Sequence, residues 1–405
     1  MATVRPIRET IPLEDARALI FEAAAPIDRT EIVSLRAADG RVLARSVTST
    51  VDVPPFDRAA MDGYAVIAED TYGASGLEPK TLRCVETVFT GQLPRERVTR
   101  GTCIEIATGA PLPEGADAVV IVEETEKAAN DDVRVFTPVY PRQHVGRRAS
   151  DITAGQSLFD AGQLLTPSRV GALAAMGITD VAVFAKPRVA ILSTGNEIVD
   201  PGQPQAPGQL YDINQFTLAA IVNEHGGVAA VYPTAADTLE ELTAAIAATR
   251  EDDVLVFSGG SSVGERDLIV DAIGQLGEVI FHGLAVKPGK PTAFGRIDRR
   301  LVFGMPGYPT SCLTNAYALL APMLRRIAQL PEYHPRSLRL PISRRVVSTT
   351  GRHQFYTVRV ENGAAVPAFK ASGDITSMAY ADGYIEIPAQ TDVVEAGELV
   401  DVTLF

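Results

Sequence analysis

The chain of 405 residues contains few cysteines and histidines, the side chains that typically bind zinc or, in the case of cysteine, form disulfides. It has three cysteines and five histidines; the cysteines are scattered, no Cys-x-x-Cys occurs, and the histidines show no ligand spacing. These absences argue against a disulfide framework and against a zinc site. The sequence also lacks a Ser-His-Asp order, an HExxH motif and a kinase motif set, so covalent nucleophilic catalysis has no support in it.

Long apolar runs and an excess of positive charge are missing as well. No run reaches the length of a membrane span, and the N-terminus has no charged-then-apolar signal pattern, so we expect a cytoplasmic protein without a membrane partner. The net charge of −13 argues against nucleic acid as the main partner, because phosphate backbones need a basic face. A small anionic ligand is still compatible, since a few local lysines and arginines can bind it.

Length and sequence texture predict several domains. A chain of 405 residues is too long for one ordinary domain, and 46% hydrophobic residues is typical of globular proteins. Short β-rich runs between Gly/Pro turns predict a β-rich domain at 51–148, inserted into a mixed domain formed by 1–50 and 149–185. Strand and helix patterns alternate over 186–331, and short alternating runs predict an all-β domain at 332–405.

Several helices are predicted from hydrophobic periodicity and capping residues. The segment 12–25 has apolar residues in helical phase. Thr166 suits an N-cap position and Pro167 the first helical position, which predicts a helix that ends near Met176. Asp212 is expected to cap a further helix.

The stretch from Ser258 to Asp267 indicates an anion-binding loop. It follows the apolar strand pattern at 254–257 and precedes a predicted helix at 268–276. Glycines let backbone N–H groups approach a phosphate closely, although the stretch matches neither the Walker nor the dinucleotide fingerprint. Repeated βαβ units predict a parallel sheet with ligands at the carboxyl ends of its strands. The candidate loop residues are Ser258, Gly259, Gly260, Ser262 and Gly264.

Three carboxylates follow strands of the same predicted sheet. Asp237 and Asp267 suit Mg²⁺, a hard cation that keeps waters and bridges phosphate oxygens. The alternative is that each of them is a helix N-cap. Glu197, which follows Thr194 and Gly195, can accept a hydrogen bond from a heterocycle or reach a metal through water, or it is a solvated loop carboxylate.

A proline-rich loop carries two lysines, Lys287 and Lys290. Lysines held on a stiff loop can present two ammonium groups to an oxyanion at low entropic cost. The alternative is a surface turn with solvated lysines.

A second loop, with Pro306 and Pro309, precedes a helical pattern that continues to about Ile327. Thr310 or Ser311 is expected to cap that helix, and the free N–H groups of its first turn can bind an anion. The alternative is an ordinary capped helix without a ligand.

The β-rich segment contains two dense loops whose chemistry the residues alone leave open. Asp62 belongs to an Asp-Gly pair, which is a tight-turn signal. Thr108 lies in a Gly/Pro loop between strands and is a possible hydroxyl donor. An ordinary turn and an ordinary loop are the alternatives.

Seven segments occur in an order and spacing that resemble the molybdopterin molybdenumtransferases of the MoeA family, which are related to the E domain of gephyrin. The resemblance covers essentially the whole chain. The segments are PPFDRAAMDGYAV, TGAPLPEGADAVV, GRRASDI, STGNEIV, SGGSSVGERD, KPGKPTAFG and GMPGYPTS.

The resemblance implies an α/β multidomain fold. It would have a central MoaB/MogA-like parallel α/β domain that binds molybdopterin, the inserted β-rich domain and a C-terminal all-β domain. It also implies a homodimer whose active site is shared between two protomers.

The implied reaction is a step of molybdenum cofactor biosynthesis. Molybdate is inserted into adenylylated molybdopterin, the pyrophosphate link is cleaved and AMP is released, with Mg²⁺ required. No adenylyltransferase-like domain is fused to this chain, which implies a handover partner that supplies the adenylylated intermediate.

The resemblance also assigns roles to residues. Asp62 and Thr108 would act from the partner subunit, Asp237 and Asp267 would hold Mg²⁺, and Glu197 would lie in the pterin-facing loop. The other residues carried over are Asp151 in the RR-x-x-D-I segment, the oxyanion-binding Lys287, Lys290 and Ser311, and Arg352 and Ser372 of the C-terminal domain.

Tyr308 departs from the residue found in many bacterial members, which have Asn there. This difference leaves open whether molybdate or tungstate is the preferred oxyanion. A non-catalytic scaffold and a different pyrophosphohydrolase on the same α/β domain are the remaining alternatives.

Overall fold

The computed structural model of the protein describes residues 9–259 and 267–405. The chain divides into two compact units. The first unit consists of Met1–Glu31, Gly40–Val42 and Val183–Phe405, and the second of Ile32–Asp39 and Leu43–Ala182. The four-part division expected from the sequence remains a prediction.

The helices agree closely with the periodicity of the sequence. α5 spans the predicted residues, α1 and α2 lie within the predicted segments, and the helix before Ile327 continues from α6 through a π-helical turn, Ala316–Leu320, into α7. The α-helices are α1 (Leu13–Ala23), α2 (Pro167–Ala175), α3 (Asn214–Glu224), α4 (Leu239–Ala248), α5 (Leu268–Leu276), α6 (Pro309–Asn315), α7 (Ala321–Ile327) and α8 (Thr376–Ala379).

The N-caps of two helices differ from the prediction. α3 has Ile213 at its N-cap rather than Asp212, although the Asp212 carboxylate accepts a hydrogen bond from the backbone N–H of Gln215 at 3.1 Å. α6 has Tyr308 at its N-cap, so the expectation that Thr310 or Ser311 caps it is wrong. The reason is that Pro309 takes the first helical position, where its fixed φ is favourable.

Most strands are short. Those of the N-terminal half are β1 (Thr30–Ser34), β2 (Val47–Thr48), β3 (Arg58–Ala59), β4 (Gly63–Val66), β5 (Lys80–Val88), β6 (Thr102–Ile106), β7 (Ala118–Ile121), β8 (Thr125–Lys127), β9 (Asp132–Val135), β10 (Val145–Gly146), β11 (Ser157–Phe159) and β12 (Asp180–Phe184). Those that follow are β13 (Arg188–Ser193), β14 (Ile198–Val199), β15 (Leu210–Tyr211), β16 (Val228–Val231), β17 (Val254–Ser258), β18 (Glu278–His282), β19 (Val286–Lys287), β20 (Ala293–Ile297), β21 (Arg300–Met305), β22 (Ser337–Pro341), β23 (Val346–Val347), β24 (His353–Glu361), β25 (Ala364–Pro367), β26 (Gly383–Ile387), β27 (Val393–Val394) and β28 (Leu399–Leu404).

A six-stranded α/β sheet organises the first unit, with strand order β16-β13-β17-β21-β20-β18. β16, β13, β17 and β21 are parallel, as predicted, whereas β20 is antiparallel to both of its neighbours. The chain reverses between β20 and β21 in a tight turn in which Asp298 has a φ of 53°. The sheet is therefore mixed at one edge.

Both faces of this sheet are buried. Successive side chains of β13 and β17 point to opposite sides, and each set packs in its own core. Val189 and Ile191 pack in a core with α3, α6 and α7. Ala190 and Leu192 pack in a second core with α4 and α5. Near-continuous apolar strands covered by helices on both faces are typical of parallel α/β sheets.

The second unit is built around a six-stranded sheet with order β7-β4-β6-β5-β9-β8. Separate apolar cores cover its two faces. β5 and β6 are parallel, whereas the other pairs in this sheet are antiparallel.

The C-terminal part of the first unit forms a further sheet, with order β19-β24-β26-β28-β22 and β25 against β24. A compact apolar core supports it. This region is almost entirely β, as predicted, with the one-turn helix α8 between β25 and β26. Through β19, the segment that carries Lys287 pairs with β24 of this sheet.

Candidate functional site

Three parallel strands of the α/β sheet end at the same level. Ser193 of β13 lies opposite Ser258 of β17, and Ser258 lies opposite Met305 of β21. The predicted segments beginning at Thr194, Gly259 and Pro306 leave the sheet directly after these residues. The register therefore brings three of the sequence-predicted loops to one edge.

Two of these loops approach each other through glycine. Gly259 has a φ of +97°, and a Cβ placed on it would lie 2.3 Å from the carbonyl oxygen of Thr194. A Cβ on Gly307 would lie 3.4 Å from the Cα of Gly259. Gly259 is required here for both its backbone conformation and its lack of a side chain. The predicted residues Gly260, Ser262 and Gly264 lie outside the described part of the chain.

Asn214, at the start of α3, connects these loops, and the sequence reasoning missed it. Its Nδ2 donates to Ser258 Oγ and to the carbonyl oxygen of Gly307, both at 2.8 Å. Asn214 is only 6% exposed. The available signal was a short amide side chain in the first turn of a helix that begins near the carboxyl edge of a parallel sheet.

Buried polar atoms without a hydrogen-bond partner among the described residues concentrate at this edge. Orphaned buried oxygens are uncommon in folded proteins and indicate a ligand or strain. The atoms at this edge are Ser193 Oγ, Thr194 Oγ1, Asp212 Oδ2, Asn214 Oδ1, Asp237 Oδ1 and Thr310 Oγ1.

Asp237 lies close to Glu197, which is exposed and folds back over Gly195. A Cβ on Gly195 would lie 2.9 Å from both carboxylate oxygens of Glu197. Burial and then the Glu197 charge raise the pKa of Asp237 above its ordinary value, against the opposing effect of the Asn196 backbone. The N-cap alternative for Asp237 is wrong, because Thr238 is the N-cap of α4 and accepts from Glu241 N–H.

Asp267 is the N-cap of α5, as one of the two sequence interpretations had it. Its Oδ1 accepts from the backbone N–H of Val270 at 3.2 Å. Its other oxygen lies 3.1 Å from Nε2 of His282, at the end of β18. Capping occupies one carboxylate oxygen of Asp267 and leaves the second facing His282, so capping does not use both oxygens.

The lysine loop is held in place by buried neighbours. Lys287 donates from Nζ to Thr349 Oγ1 at 2.7 Å, and it lies opposite Gln354 in the pairing of β19 with β24. Asn315 donates to the carbonyl oxygen of Gly289 at 3.1 Å. Both Lys287 and Lys290 are half-buried, so the alternative of freely solvated lysines is wrong for this loop.

The start of α6 differs from the predicted anion site. The backbone N–H of Thr310 donates to the carbonyl oxygen of Ser372 at 3.2 Å, so this first-turn donor is already used. Ser311 is buried in the same turn. The contact places Ser372 beside the predicted loop, whereas the Arg352 side chain is exposed and precedes β24.

In the second unit, Asp62 and Thr108 form a pair. Asp62 Oδ1 accepts from the backbone N–H of Thr108 at 2.6 Å and from its hydroxyl at 2.8 Å. These two bonds, the backbone one first, lower the pKa of Asp62. Asp151 is exposed, and its backbone N–H donates to the carbonyl oxygen of Val53.

We expect Asn214→Ala to lower the stability of the α/β sheet by about 2 kcal/mol, because the buried Ser258 Oγ and the carbonyl oxygen of Gly307 lose their shared donor. Calorimetric melting would measure the effect. Asn223→Ala is the matched control on the same helix; its exposed side chain accepts from Ala229 N–H, so its effect should stay within about 0.5 kcal/mol. Equal melting temperatures for the two variants would contradict the bridging role of Asn214.

We expect Thr108→Val to raise the pKa of Asp62, because the hydroxyl donor is lost while the backbone N–H remains. With a lowered folded pKa, Asp62 contributes stability above its unfolded pKa, and this is lost as pH falls through the folded pKa. A ¹³C NMR titration of the Asp62 carboxyl measures the shift. Thr87→Val, which removes a similar exposed bond to Glu105, should leave the pKa of Asp62 unchanged.

Comparison with known proteins gives three family matches that together span most of the chain. Residues 11–177 match the MoeA N-terminal region (domain I and II), residues 190–326 a "Probable molybdopterin binding domain", and residues 339–405 the MoeA C-terminal region (domain IV).

Individual relatives are similar over nearly their whole length. Molybdopterin molybdenumtransferase 2 of Mycobacterium tuberculosis is 35% identical over 91% of this chain and 94% of its own. The molybdopterin molybdenumtransferase of Haemophilus influenzae is 30% identical over 98% of both chains. Two crystal structures of MoeA proteins from Pyrococcus horikoshii, 41% and 31% identical, superpose with TM-scores of 0.83 and 0.81, covering 98% of this chain and 99% and 100% of theirs.

In the part of the chain that the structure describes, no helix combines the length and the apolar character needed to cross a membrane.

Proposed function

The chain belongs to the MoeA family of molybdopterin molybdenumtransferases, which are transferases of molybdenum cofactor biosynthesis. From this premise we propose that it inserts molybdate into adenylylated molybdopterin, with Mg²⁺-dependent cleavage of the pyrophosphate link and release of AMP. The observation that carries the proposal is the edge of the α/β sheet at Ser193, Ser258 and Met305. Glycine-lined loops, carboxylates and lysine-bearing segments follow the strands of that sheet.

We propose that two carboxylates that follow strands of this sheet hold a divalent cation, although residues 9–259 and 267–405 contain no cluster of three or more His, Cys, Asp or Glu side chains arranged to hold one. Asp237 has a buried oxygen without a partner among the described residues, and burial, followed by the repulsion from the Glu197 charge, disfavours its ionised form. A cation relieves that repulsion, and hard oxygen donors suit Mg²⁺. We assign Asp237 and Asp267 to hold it. Bound Mg²⁺ neutralises charge on the pyrophosphate oxygens.

The protein's own residues then bind and orient the anions. We assign the backbone of Ser258 and Gly259 to the phosphate, where the absence of a Cβ permits close approach. Lys287 and Lys290 stabilise negative charge on the oxyanion or the cleaved link, with Ser311, Arg352 and Ser372 as further contacts. The predicted pterin contacts are Thr194, Gly195, Glu197, Pro306 and Pro309.

The role proposed for Asp62 and Thr108 requires a second copy of the chain. We propose a homodimer in which these residues complete the site of the partner protomer. The hydrogen bonds from Thr108 support this role, because they keep Asp62 ionised and oriented. We also propose that a separate adenylyltransferase hands over the substrate, and that the reaction takes place in the cytoplasm.

The test is the reaction itself. Purified protein is mixed with adenylylated molybdopterin, molybdate and MgCl₂, and AMP is quantified. We expect AMP release only when both molybdate and Mg²⁺ are present. Release that is indifferent to either one overturns the proposal. Replacing molybdate by tungstate in a parallel reaction decides the oxyanion preference. The residue of interest for this preference is the exposed Tyr308, which stands where many bacterial members have Asn.

Lys287→Met should lower the rate of AMP release about tenfold, since one charge-assisted contact contributes about 1.5 kcal/mol or more. The matched control is Lys370→Met. Lys370 also donates to a threonine hydroxyl, that of Thr376 at 3.1 Å, but it is exposed and follows no strand of the α/β sheet. A similar loss in both variants would indicate a general effect of charge rather than a role for Lys287.

A further inference from the structure

Two of the three cysteines lie side by side in the second unit. β5 and β6 are parallel, and Cys84 of β5 pairs directly with Cys103 of β6. Both side chains belong to the same face of the sheet, because Cys103 is part of one apolar core and Cys84 packs against that core. Neighbouring strands lie about 4.8 Å apart, so directly paired residues on one face have side chains within reach of each other.

The environment makes the two thiols unequal. A hydrogen bond with the Cys103 thiol lowers the pKa of Cys84 to about 6, against the opposing effect of burial and with smaller lowering contributions from the backbone of Glu105 and Glu86. The same bond, followed by burial, raises the pKa of Cys103 above its ordinary value. The environment therefore favours deprotonation of Cys84 over that of Cys103. A thiolate is the nucleophilic form of cysteine.

Access from solvent is also unequal. Cys84 is half-buried, and the register of β5 against β6 shifts immediately after it, with exposed Val85 as the extra residue. Cys103 is fully buried. A small molecule from solvent therefore reaches Cys84 first, and Cys103 can react only with the oxidised form of Cys84.

We propose that Cys84 and Cys103 form a redox-active dithiol that reacts with hydrogen peroxide and closes to an intrachain disulfide, with Cys84 as the attacking sulfur and Cys103 as the resolving one. The site is separate from the proposed transferase chemistry and does not depend on it. It would link β5 to β6, and Ile106 of β6 lies opposite Gly63, the residue after Asp62.

The chemistry balances in two steps. The Cys84 thiolate attacks one oxygen of peroxide, the O–O bond breaks, hydroxide leaves and is protonated to water, and Cys84 becomes a sulfenic acid, oxidised by two electrons. Cys103 then loses its proton and attacks the Cys84 sulfur. An S–S bond forms, and the sulfenic oxygen leaves as a second water molecule. One peroxide is consumed for one disulfide.

The experiment uses the full-length protein with hydrogen peroxide at neutral pH, followed by thiol counting and non-reducing peptide mapping. We expect two of the three thiols to disappear and a Cys84–Cys103 cross-linked peptide to form. Cys312 should remain free, because it is fully buried and burial raises its pKa to about 12. We expect Cys84 to react at least about tenfold faster than Cys312.

Three variants separate the roles of the sulfurs. Cys103→Ser should stop at a Cys84 sulfenic acid that dimedone traps. Cys84→Ser should leave Cys103 unmodified, since only Cys84 is accessible. Cys312→Ser should behave as the parent. Unreactive thiols in the parent protein, reaction at Cys312 first, or disulfides only between different chains would each overturn the proposal.

Discussion

Asp237→Asn is expected to abolish most of the Mg²⁺-dependent activity and at the same time to stabilise the metal-free protein at neutral pH. The two effects have one cause. In the absence of a cation the Asp237 carboxylate is a partly buried charge beside Glu197, and its Oδ1 has no partner among the described residues. An amide of the same shape has no such charge, and it is also a poor ligand for Mg²⁺.

The pH dependence follows from the raised pKa of Asp237. A carboxyl group whose folded pKa lies above its unfolded value binds its proton more tightly in the folded state. Its ionisation therefore lowers stability as pH rises from the unfolded pKa through the folded pKa. The advantage of Asp237→Asn over the parent should be present above this interval and absent below it. Melting temperatures of the metal-free proteins between acidic and neutral pH measure the difference.

The loss of activity should be about 100-fold or more, since even supporting residues around a metal commonly contribute 10- to 100-fold. A second readout does not depend on turnover. Mg²⁺ should raise the melting temperature of the parent protein but not that of Asp237→Asn. The control is Glu240→Gln, an exposed carboxylate in the first turn of α4. A variant that keeps both full activity and the Mg²⁺ effect would show that Asp237 is not a ligand.

The central sheet could be predicted well because the two patterns that indicate it, apolar strands and periodic helices, are local in the sequence. The apolar pattern at 254–257 lies within β17, and α5 begins and ends at the predicted residues. These signals depend on the chain itself, since a strand buried on both faces must be apolar throughout. Placing the following loops at one edge then needed only the rule that ligands bind at the carboxyl ends of parallel strands.

The details of capping could not be decided from the same signals. Asp237 and Thr238 are adjacent, and both residue types are good N-caps, so the sequence does not say which one ends up in the extended conformation before α4. In the structure Thr238 is the N-cap, and the Asp237 carboxylate does not cap α4. Because the cap is one residue further along, Asp237 is not a structural helix cap but a carboxylate with a raised pKa.

Asn214 shows a second limit of sequence reasoning. Its importance lies in contacts with Ser258 and Gly307, residues 44 and 93 positions away. Long-range partners of a single amide leave no periodic signal. Asp62 and Thr108 are similar, because the residues alone indicated only a turn and a loop, and the hydrogen bonds between them appear only in the fold.

Gly259→Ala is expected to disrupt the loop edge of the α/β sheet more than any ordinary glycine substitution. Its φ of +97° is strained for an L-residue, and the added Cβ would lie 2.3 Å from the carbonyl oxygen of Thr194. A contact that short requires the loop after β13 to move away from the loop after β17. Because both loops belong to the proposed anion site, we expect AMP release to fall more than tenfold, with a loss of stability of about 2–4 kcal/mol.

Gly202→Ala separates the two causes of this effect. Gly202 has nearly the same backbone conformation, with a φ of +91°, but a Cβ on it would have nothing within 4 Å. It therefore reports the cost of φ alone, which should be about 1 kcal/mol. The difference between the two variants measures the close approach of Gly259 to Thr194. Hydrogen exchange should rise in peptides that contain Thr194 only in Gly259→Ala, and equal behaviour of the two variants would mean that the two loops do not touch in solution.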